Sequence, residues 1–144
     1  MTLHAPYDPD NIFAQILRGE MPCVKLFEDA HIVSFMDVFP QSRGHCLVVP
    51  KAASRNMLDV APKDIGRLFG AVQRISKAVD LALKPDGIVI TQFNGAPAGQ
   101  TVFHTHVHII PRYSDEPLAA HDEGNMTDMG NLKKLAEKIQ TKLN

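Results

Sequence analysis

Three histidines recur at every second position late in the chain, at His104, His106 and His108. On a β-strand, side chains two residues apart point to the same face, so this spacing predicts a row of three imidazoles. The intervening Val107, and Ile109 after it, would then face a hydrophobic core. An imidazole titrates near neutral pH and can act as a nucleophile, an acid or base, or a metal ligand. The run therefore predicts a chemical site.

A metal site is one interpretation, because histidine is a common zinc ligand. The Cα atoms of His104 and His108 on a strand would lie roughly 13 Å apart, which strains a shared ion. The run also supplies no Asp, Glu or Cys to complete a ligand set. Two of the three histidines with His45 still form a candidate set, and His31 and His121 are more distant candidates. We expect that no cofactor is required, with zinc as the open alternative.

Nucleophilic catalysis at phosphorus is the other interpretation, in which a neutral imidazole forms a covalent intermediate and divides one displacement into two. This chemistry needs hydrogen-bond donors aimed at the phosphate oxygens. The segment before the histidines, residues 94–101, is rich in small residues that let backbone N–H groups approach a phosphate, although a plain strand connection is the alternative. Its candidate substrate-binding residues are Asn94, Gly99, Gln100 and Thr101.

Hydrophobic periodicity and turn residues predict the elements that position this run. Asn11 can cap a short helix that stops at Gly19, and a long helix begins at Pro62 and ends at the turn 84–87. Strands are predicted over residues 23–27, 32–38, 45–49, 88–93 and 102–110. A helical stripe resumes at Met129, with its lysines on a solvated face.

Strands grouped before and after one long helix, without regular βαβ alternation, indicate an α+β fold on a five-stranded antiparallel sheet. This sheet carries one long and one short helix, plus the C-terminal helix. A length of 144 residues fits a single domain. We expect its core at residues 10–112 and a C-terminal extension at 113–144 that packs at or near a subunit interface.

Composition limits the classes of function. The chain is 44% hydrophobic and 22% charged with a formal net charge of −1, so nothing global attracts nucleic acid or an anionic membrane. No apolar run approaches the roughly 20 residues of a spanning helix, and no secretory signal is recognised, so a cytoplasmic location is expected. Cys23 and Cys46 match no metal spacing and are interpreted as small buried hydrophobes.

Residues 94–112, NGAPAGQTVFHTHVHIIPR, resemble the signature of the histidine triad, or HIT, superfamily. Residues 11–51 are similar in order and spacing to the N-terminal half of its Hint branch. The resemblance implies a homodimer and a hydrolase of purine nucleotides. The first helix lacks the cysteines that many relatives use for zinc. Thr105 and His108 differ from the transferase branch, so water is the expected acceptor.

The resemblance also implies a role for each matching residue. His106 takes the position of the nucleophile, His108 that of a phosphate and leaving-group contact, and His104 that of an orienting group. His45 matches an additional histidine on a neighbouring strand, and Asp37 matches the acidic residue that binds the ribose hydroxyls. Further candidate substrate-binding residues are Ile12, Phe13, Phe35 and Val38, and a core role is equally open for the first three.

These observations together predict a hydrolase of nucleoside 5′-monophosphoramidates or related nucleotidyl compounds, acting through a nucleotidyl intermediate on His106. One alternative is a dinucleoside polyphosphate hydrolase, whose leaving group is a second nucleotide. The other alternative is a regulator that binds nucleotides without turning them over.

Overall fold

The computed structural model describes residues 3–117 and 128–143 as an antiparallel sheet with helices on both faces. The strands are β1 (Lys25–Glu28), β2 (Ile32–Met36), β3 (Cys46–Pro50), β4 (Gly87–Thr91) and β5 (Val107–Arg112), in the order β1-β2-β3-β5-β4. The helices are α1 (Ile12–Leu17), α2 (Pro62–Leu83) and α3 (Met129–Gln140), with 3₁₀ turns at Met57–Asp59 and Ala96–Ala98. The α+β class and the five-stranded antiparallel sheet are confirmed.

Helix α2 covers one face of the sheet. Pro62 occupies its first turn, where a missing N–H costs no helical hydrogen bond, and Lys84 closes it with a left-handed φ of 49°. Its buried stripe includes Leu68, Val72 and Ile75, at the spacing of one helical face. Among the residues described, no helix is both long and apolar enough to cross a membrane.

The main core lies between α2, α3 and this face of the sheet. Val48, Val107 and Ile109 alternate into it from β3 and β5. Helix α3 adds buried side chains from Leu132, Ala136 and Ile139 and contacts both α2 and β1. The C-terminal helix therefore completes the core of its own chain, a role beyond the predicted location near a subunit interface.

A smaller apolar cluster lies on the opposite face of the sheet, under α1. Its buried members are Phe13, Val33, Phe35, Leu47 and Val49. Asn11 caps α1, since its side-chain oxygen accepts a hydrogen bond of 2.9 Å from the backbone N–H of Ala14. This short helix fixes an aromatic ring beside the histidines.

The predicted strand over 102–110 begins too early. Pairing of β5 with β3 starts at Val107, opposite Val48, so His104 and His106 precede the strand. The Thr105 N–H instead donates to the carbonyl of Ser54 at 2.9 Å, because the chain beyond β3 turns away from the sheet. The ends of the other four strands differ from the prediction by two residues or fewer, within the ordinary uncertainty of boundaries.

Candidate active site

The structure brings the four predicted histidines into one buried group. The ring of His108 lies 5.0 Å from that of His106 and 5.2 Å from that of His45, measured between centroids. His104 joins the group through its backbone, which contacts the ring of His106. His106 is the most accessible of the four, at 6% exposure. Such burial makes each ring depend on its hydrogen-bond partners.

A backbone carbonyl sets the tautomer of His106. Nδ1 of His106 lies 2.6 Å from the carbonyl oxygen of His104. A carbonyl oxygen only accepts, so Nδ1 carries the proton and donates it. In the neutral ring Nε2 is then the nitrogen with a lone pair. This is the arrangement that a nucleophilic imidazole requires.

His45 and His108 form a hydrogen-bond relay that gives His108 the opposite tautomer to His106. The backbone N–H of Gln41 donates to Nδ1 of His45 at 3.0 Å, so the proton of the neutral ring is on Nε2. Nε2 of His45 lies 3.0 Å from Nδ1 of His108 and donates to it. The neutral ring of His108 therefore carries its own proton on Nε2. His106 and His108 thus differ in tautomer, one suited to attack and the other to hydrogen-bond donation.

His104 is held at both ring nitrogens. Its Nε2 donates to the carbonyl oxygen of Pro50 at 2.7 Å, and its Nδ1 accepts from the hydroxyl of Tyr7 at 2.6 Å. Burial lowers the pKa of His104, which favours the neutral ring. The contact with Tyr7 is absent from the predicted site, since the two residues are 97 positions apart and no local pattern links them.

Asp37 lies beside the relay. One carboxylate oxygen accepts from the backbone N–H of Phe39 at 2.8 Å, and the other lies 3.4 Å from Nε2 of His45. Asp37 is buried, at 6% exposure, and its carboxylate lies at the edge of the histidine group. The ribose contact implied for Asp37 stays a prediction.

One candidate metal cluster is found within residues 3–117 and 128–143. Its members are Asp37, His45 and His108, whose ligand atoms lie within 4.8 Å of one another. Nitrogen and carboxylate oxygen are suitable zinc ligands, but a ligating histidine nitrogen must be deprotonated. Because Nδ1 of His45 accepts the Gln41 N–H, Nε2 carries the proton. The hydrogen bonds therefore fit a fixed hydrogen-bond relay better than an ion. His31 is exposed outside this cluster, and His121 is outside the described residues.

Aromatic rings form the wall beside His106. Phe13 meets His106 edge-on with centroids 4.8 Å apart, and Phe35 packs against Phe13 at 5.3 Å. Phe13 and Phe35 are also core members, so they serve the small cluster and the site wall together. Ile12 is 43% exposed, whereas Val38 is half-buried and packs against the main core. Ile12 is thus the more accessible of these two candidates.

The small-residue loop is braced by its own polar side chains. The side-chain oxygen of Gln100 accepts from the Gly95 N–H at 2.8 Å, and its amide nitrogen donates to the carbonyl of Arg55 at 2.7 Å. Asn94 accepts from the Met57 N–H at 2.9 Å. These bonds give Gln100 and Asn94 a structural role, and their predicted contact with substrate stays a prediction.

Gly99 and Thr101 are the exposed candidates of this loop. Gly99 has a φ of 109°, which favours glycine, and an added Cβ would come within 3.2 Å of the ring of Phe93. Phe93 in turn packs against His108, with centroids 5.5 Å apart. The loop backbone is therefore held close to the histidines.

Comparison with known proteins identifies a family and named relatives. The HIT domain family model matches residues 18–115. The adenosine 5′-monophosphoramidase hnt1 of Schizosaccharomyces pombe is 34% identical over 133 residues, which cover 92% of this chain and 97% of that protein. The adenylylsulfatase HINT3 of Arabidopsis thaliana is 39% identical over 113 residues, 78% of this chain and 57% of that protein. The present chain thus spans less than two thirds of the plant protein.

A solved structure resembles nearly the whole chain. It is a crystal structure of a Hit-like protein from Bartonella henselae, described as involved in cell-cycle regulation and as containing an unknown ligand. It shares 43% sequence identity and a TM-score of 0.88, over 96% of this chain and 100% of that chain.

Proposed function

Because this chain belongs to the HIT domain family, we propose that it hydrolyses nucleoside 5′-monophosphoramidates through a nucleotidyl intermediate on His106. The family and the activities named for two relatives support a nucleotide hydrolase at the general level. The observation that carries the finer proposal is the pair of opposite tautomers at His106 and His108. One ring is prepared to attack phosphorus and the other to donate a hydrogen bond to the group that leaves.

The first step transfers the nucleotidyl group to the protein. The lone pair on Nε2 of His106 forms a bond to phosphorus, and the bond from phosphorus to the leaving nitrogen breaks. The Nε2–H of His108 donates a hydrogen bond to the leaving nitrogen, which takes a proton from solvent, and the neutral amine departs. The ring of His106 gains positive charge, which its Nδ1–H shares with the carbonyl of His104 through the 2.6 Å hydrogen bond.

The second step returns the protein to its starting state. Water attacks phosphorus and releases a proton to solvent, and the bond between phosphorus and His106 breaks while the Nε2–H of His108 donates a hydrogen bond to the phosphate. The products are the nucleoside monophosphate and neutral His106. His45 keeps His108 in the tautomer that both steps need, since its own proton stays directed at Nδ1 of His108.

The surroundings of the histidines suit the parts of a purine nucleotide. In this proposal the carboxylate of Asp37 binds the ribose hydroxyls, and the base lies near Ile12 and the aromatic wall of Phe13. The phosphate lies against the exposed backbone at Gly99 and Thr101, where glycine permits a close approach. A few polar groups beside an apolar wall are typical of small-molecule sites.

We also propose that the protein works as a homodimer through β4 and the adjacent surface of α2. β4 is an edge of the sheet, and Val89 and Ile90 on it are 38% and 47% exposed. Ile65 and Phe69 expose a further apolar surface on α2, at 37% and 39%. An unpaired apolar edge strand favours pairing with a second copy. Light scattering should show a dimer that Ile90→Lys converts to monomer and that the exposed control Met21→Lys leaves intact.

The proposed reaction is tested by turnover with purified protein. An adenosine phosphoramidate should be hydrolysed to AMP by the wild type and not by His106→Ala, while both proteins bind AMP. Diadenosine polyphosphates, assayed in parallel, should react more slowly. Faster turnover of the polyphosphates would replace the proposed substrate class. Binding of AMP without turnover of either substrate would replace the enzyme with a nucleotide-binding regulator.

A further inference from the structure

We propose that Tyr7 is a positioning residue whose hydroxyl holds His104 so that the His104 backbone carbonyl supports the attacking ring of His106. Tyr7 lies outside residues 18–115, the part that the family model matches. Where activity is measured, the inference rests on the proposed hydrolase function. The contact itself can be tested independently of turnover.

The ring of His104 is clamped between two partners. The carbonyl of Pro50 accepts from Nε2 at 2.7 Å, so Nδ1 must accept, and the hydroxyl of Tyr7 donates to it at 2.6 Å. The ring is 0% exposed, and it meets the ring of Tyr7 edge-on with centroids 5.6 Å apart. Rotation of a buried ring held in this way would leave polar atoms unsatisfied. Tyr7 therefore fixes both the orientation and the tautomer of His104.

The backbone of His104 connects this clamp to the chemistry. Its carbonyl oxygen accepts from Nδ1 of His106, and that bond gains strength when the His106 ring becomes positively charged on attack. A group whose interaction strengthens in the transition state affects kcat more than substrate binding. Loosening the side chain of His104 should therefore lower kcat with little change in KM.

The N-terminal segment, residues 3–9, is built onto the site. The buried side chain of Asn56 donates to the carbonyl of Leu3 at 2.9 Å, and Arg55 donates to that of Pro6 at 3.5 Å. Arg55 and Asn56 directly follow Ser54, which bonds to Thr105 between two of the histidines. The loop at residues 54–56 thus contacts both the N-terminal segment and the histidine run. These contacts position the Tyr7 hydroxyl beside His104.

The kinetic test uses Tyr7→Phe, which keeps the ring and removes the hydroxyl. We expect kcat to fall about three- to tenfold, in line with the loss of one buried hydrogen bond, with KM within about twofold of wild type. Asp8→Asn is the matched control, because its exposed side chain bonds locally to the Asp10 N–H. This control should retain wild-type kinetics.

A double-mutant cycle separates positioning from a general effect on folding. If Tyr7 acts through His104, adding Tyr7→Phe to a His104→Ala protein should cause no further loss of kcat. An equal fold-loss in both backgrounds would overturn the proposal. Wild-type kcat in the single variant would also overturn it.

The spectroscopic test needs no substrate. Ring ¹⁵N signals should show His104 of the wild type protonated at Nε2 and accepting at Nδ1, and Tyr7→Phe should shift the Nδ1 signal. A shift in a protein that lacks turnover would support the contact while removing the proposed function. An unchanged His104 spectrum in Tyr7→Phe would overturn the contact even in an active enzyme.

Discussion

The two faces of the sheet bury their residues by different means. On the face beneath α2 and α3, neighbours such as Ile75 and Ile139 are sealed among apolar side chains, and burial raises the pKa of the Cys46 thiol to about 12. On the opposite face, His45 and His108 are equally buried but are bonded to specific polar atoms. Apolar packing determines whether the chain folds, whereas individual hydrogen bonds determine which nitrogen of each ring reacts.

β5 serves both faces at once, since Val107 lies in the main core and His108 lies in the site. Substitutions on the face beneath α2 and α3 should therefore change stability and spare catalysis. Substitution of His106, on the opposite face, should lower catalysis and spare stability.

The largest expected effect is on catalysis, at His106. His106→Ala should lower kcat by about 10³-fold or more, because no other ring holds the nucleophilic tautomer beside the substrate. Its melting temperature should stay within a few degrees of wild type, as measured by calorimetry. The exposed His31→Ala is the control and should keep full activity. Equal losses of activity in these two variants would remove the distinction between the faces.

The next effect is on stability, at Ile75 in α2. Ile75→Ala should lower the free energy of unfolding by about 2–5 kcal/mol, because it leaves a cavity beneath the sheet. Denaturant titration measures this loss, and kcat of the folded fraction should be unchanged. Leu81→Ala on the same helix is the control, since Leu81 is 58% exposed. A large drop in kcat for folded Ile75→Ala would show that packing beneath α2 also affects catalysis.

A smaller catalytic effect is expected at His45. His45→Leu should lower kcat by about 10- to 100-fold, because His108 would lose the donor that fixes its tautomer. If the Nε2–H of His108 stabilises the leaving nitrogen, the loss should be greater for substrates with poor leaving groups than for those with good ones. A series of phosphoramidates with amines of graded pKa measures this. The same loss across the series would exclude His108 from a role at the leaving group.

The smallest effect is a pH dependence of stability at His104. Burial lowers the pKa of His104 in the folded chain below the ordinary value of 6.5, so the unfolded chain binds more protons. The contribution of the neutral His104 ring to the free energy of unfolding is fully present above pH 6.5. It is lost progressively as the pH falls through that value towards the pKa of His104 in the folded chain. Denaturant titrations between pH 8 and 5 should show a shallower decline for His104→Gln than for wild type. Parallel curves would contradict a neutral, buried His104.

Much of the structure on the face beneath α2 and α3 can be predicted from the sequence. The period of apolar residues and the position of Pro62 predict the long helix with both of its ends. The start of β5 is different, because residues 102–106 alternate like a strand while Thr105 bonds to the loop at Ser54. Alternation predicts which side chains share a face and does not identify the backbone partner.

The sequence predicts which histidines form the site. It does not predict which nitrogen of each ring carries the proton. Rare residue types at regular spacing identify His106, and a family resemblance adds His45. The tautomers depend on backbone atoms of Gln41 and Pro50, which no spacing rule connects to the rings. Tyr7 is further removed, since the fold alone brings it to His104.

Isolation of the reaction intermediate would show whether His106 forms the covalent bond to phosphorus. The wild type would be mixed with an adenosine phosphoramidate, quenched within one turnover in alkali and mapped by mass spectrometry. We expect one adenylyl group attached to His106. An adduct on His108 or His45, or turnover that leaves no adduct and inverts the configuration at phosphorus, would contradict it.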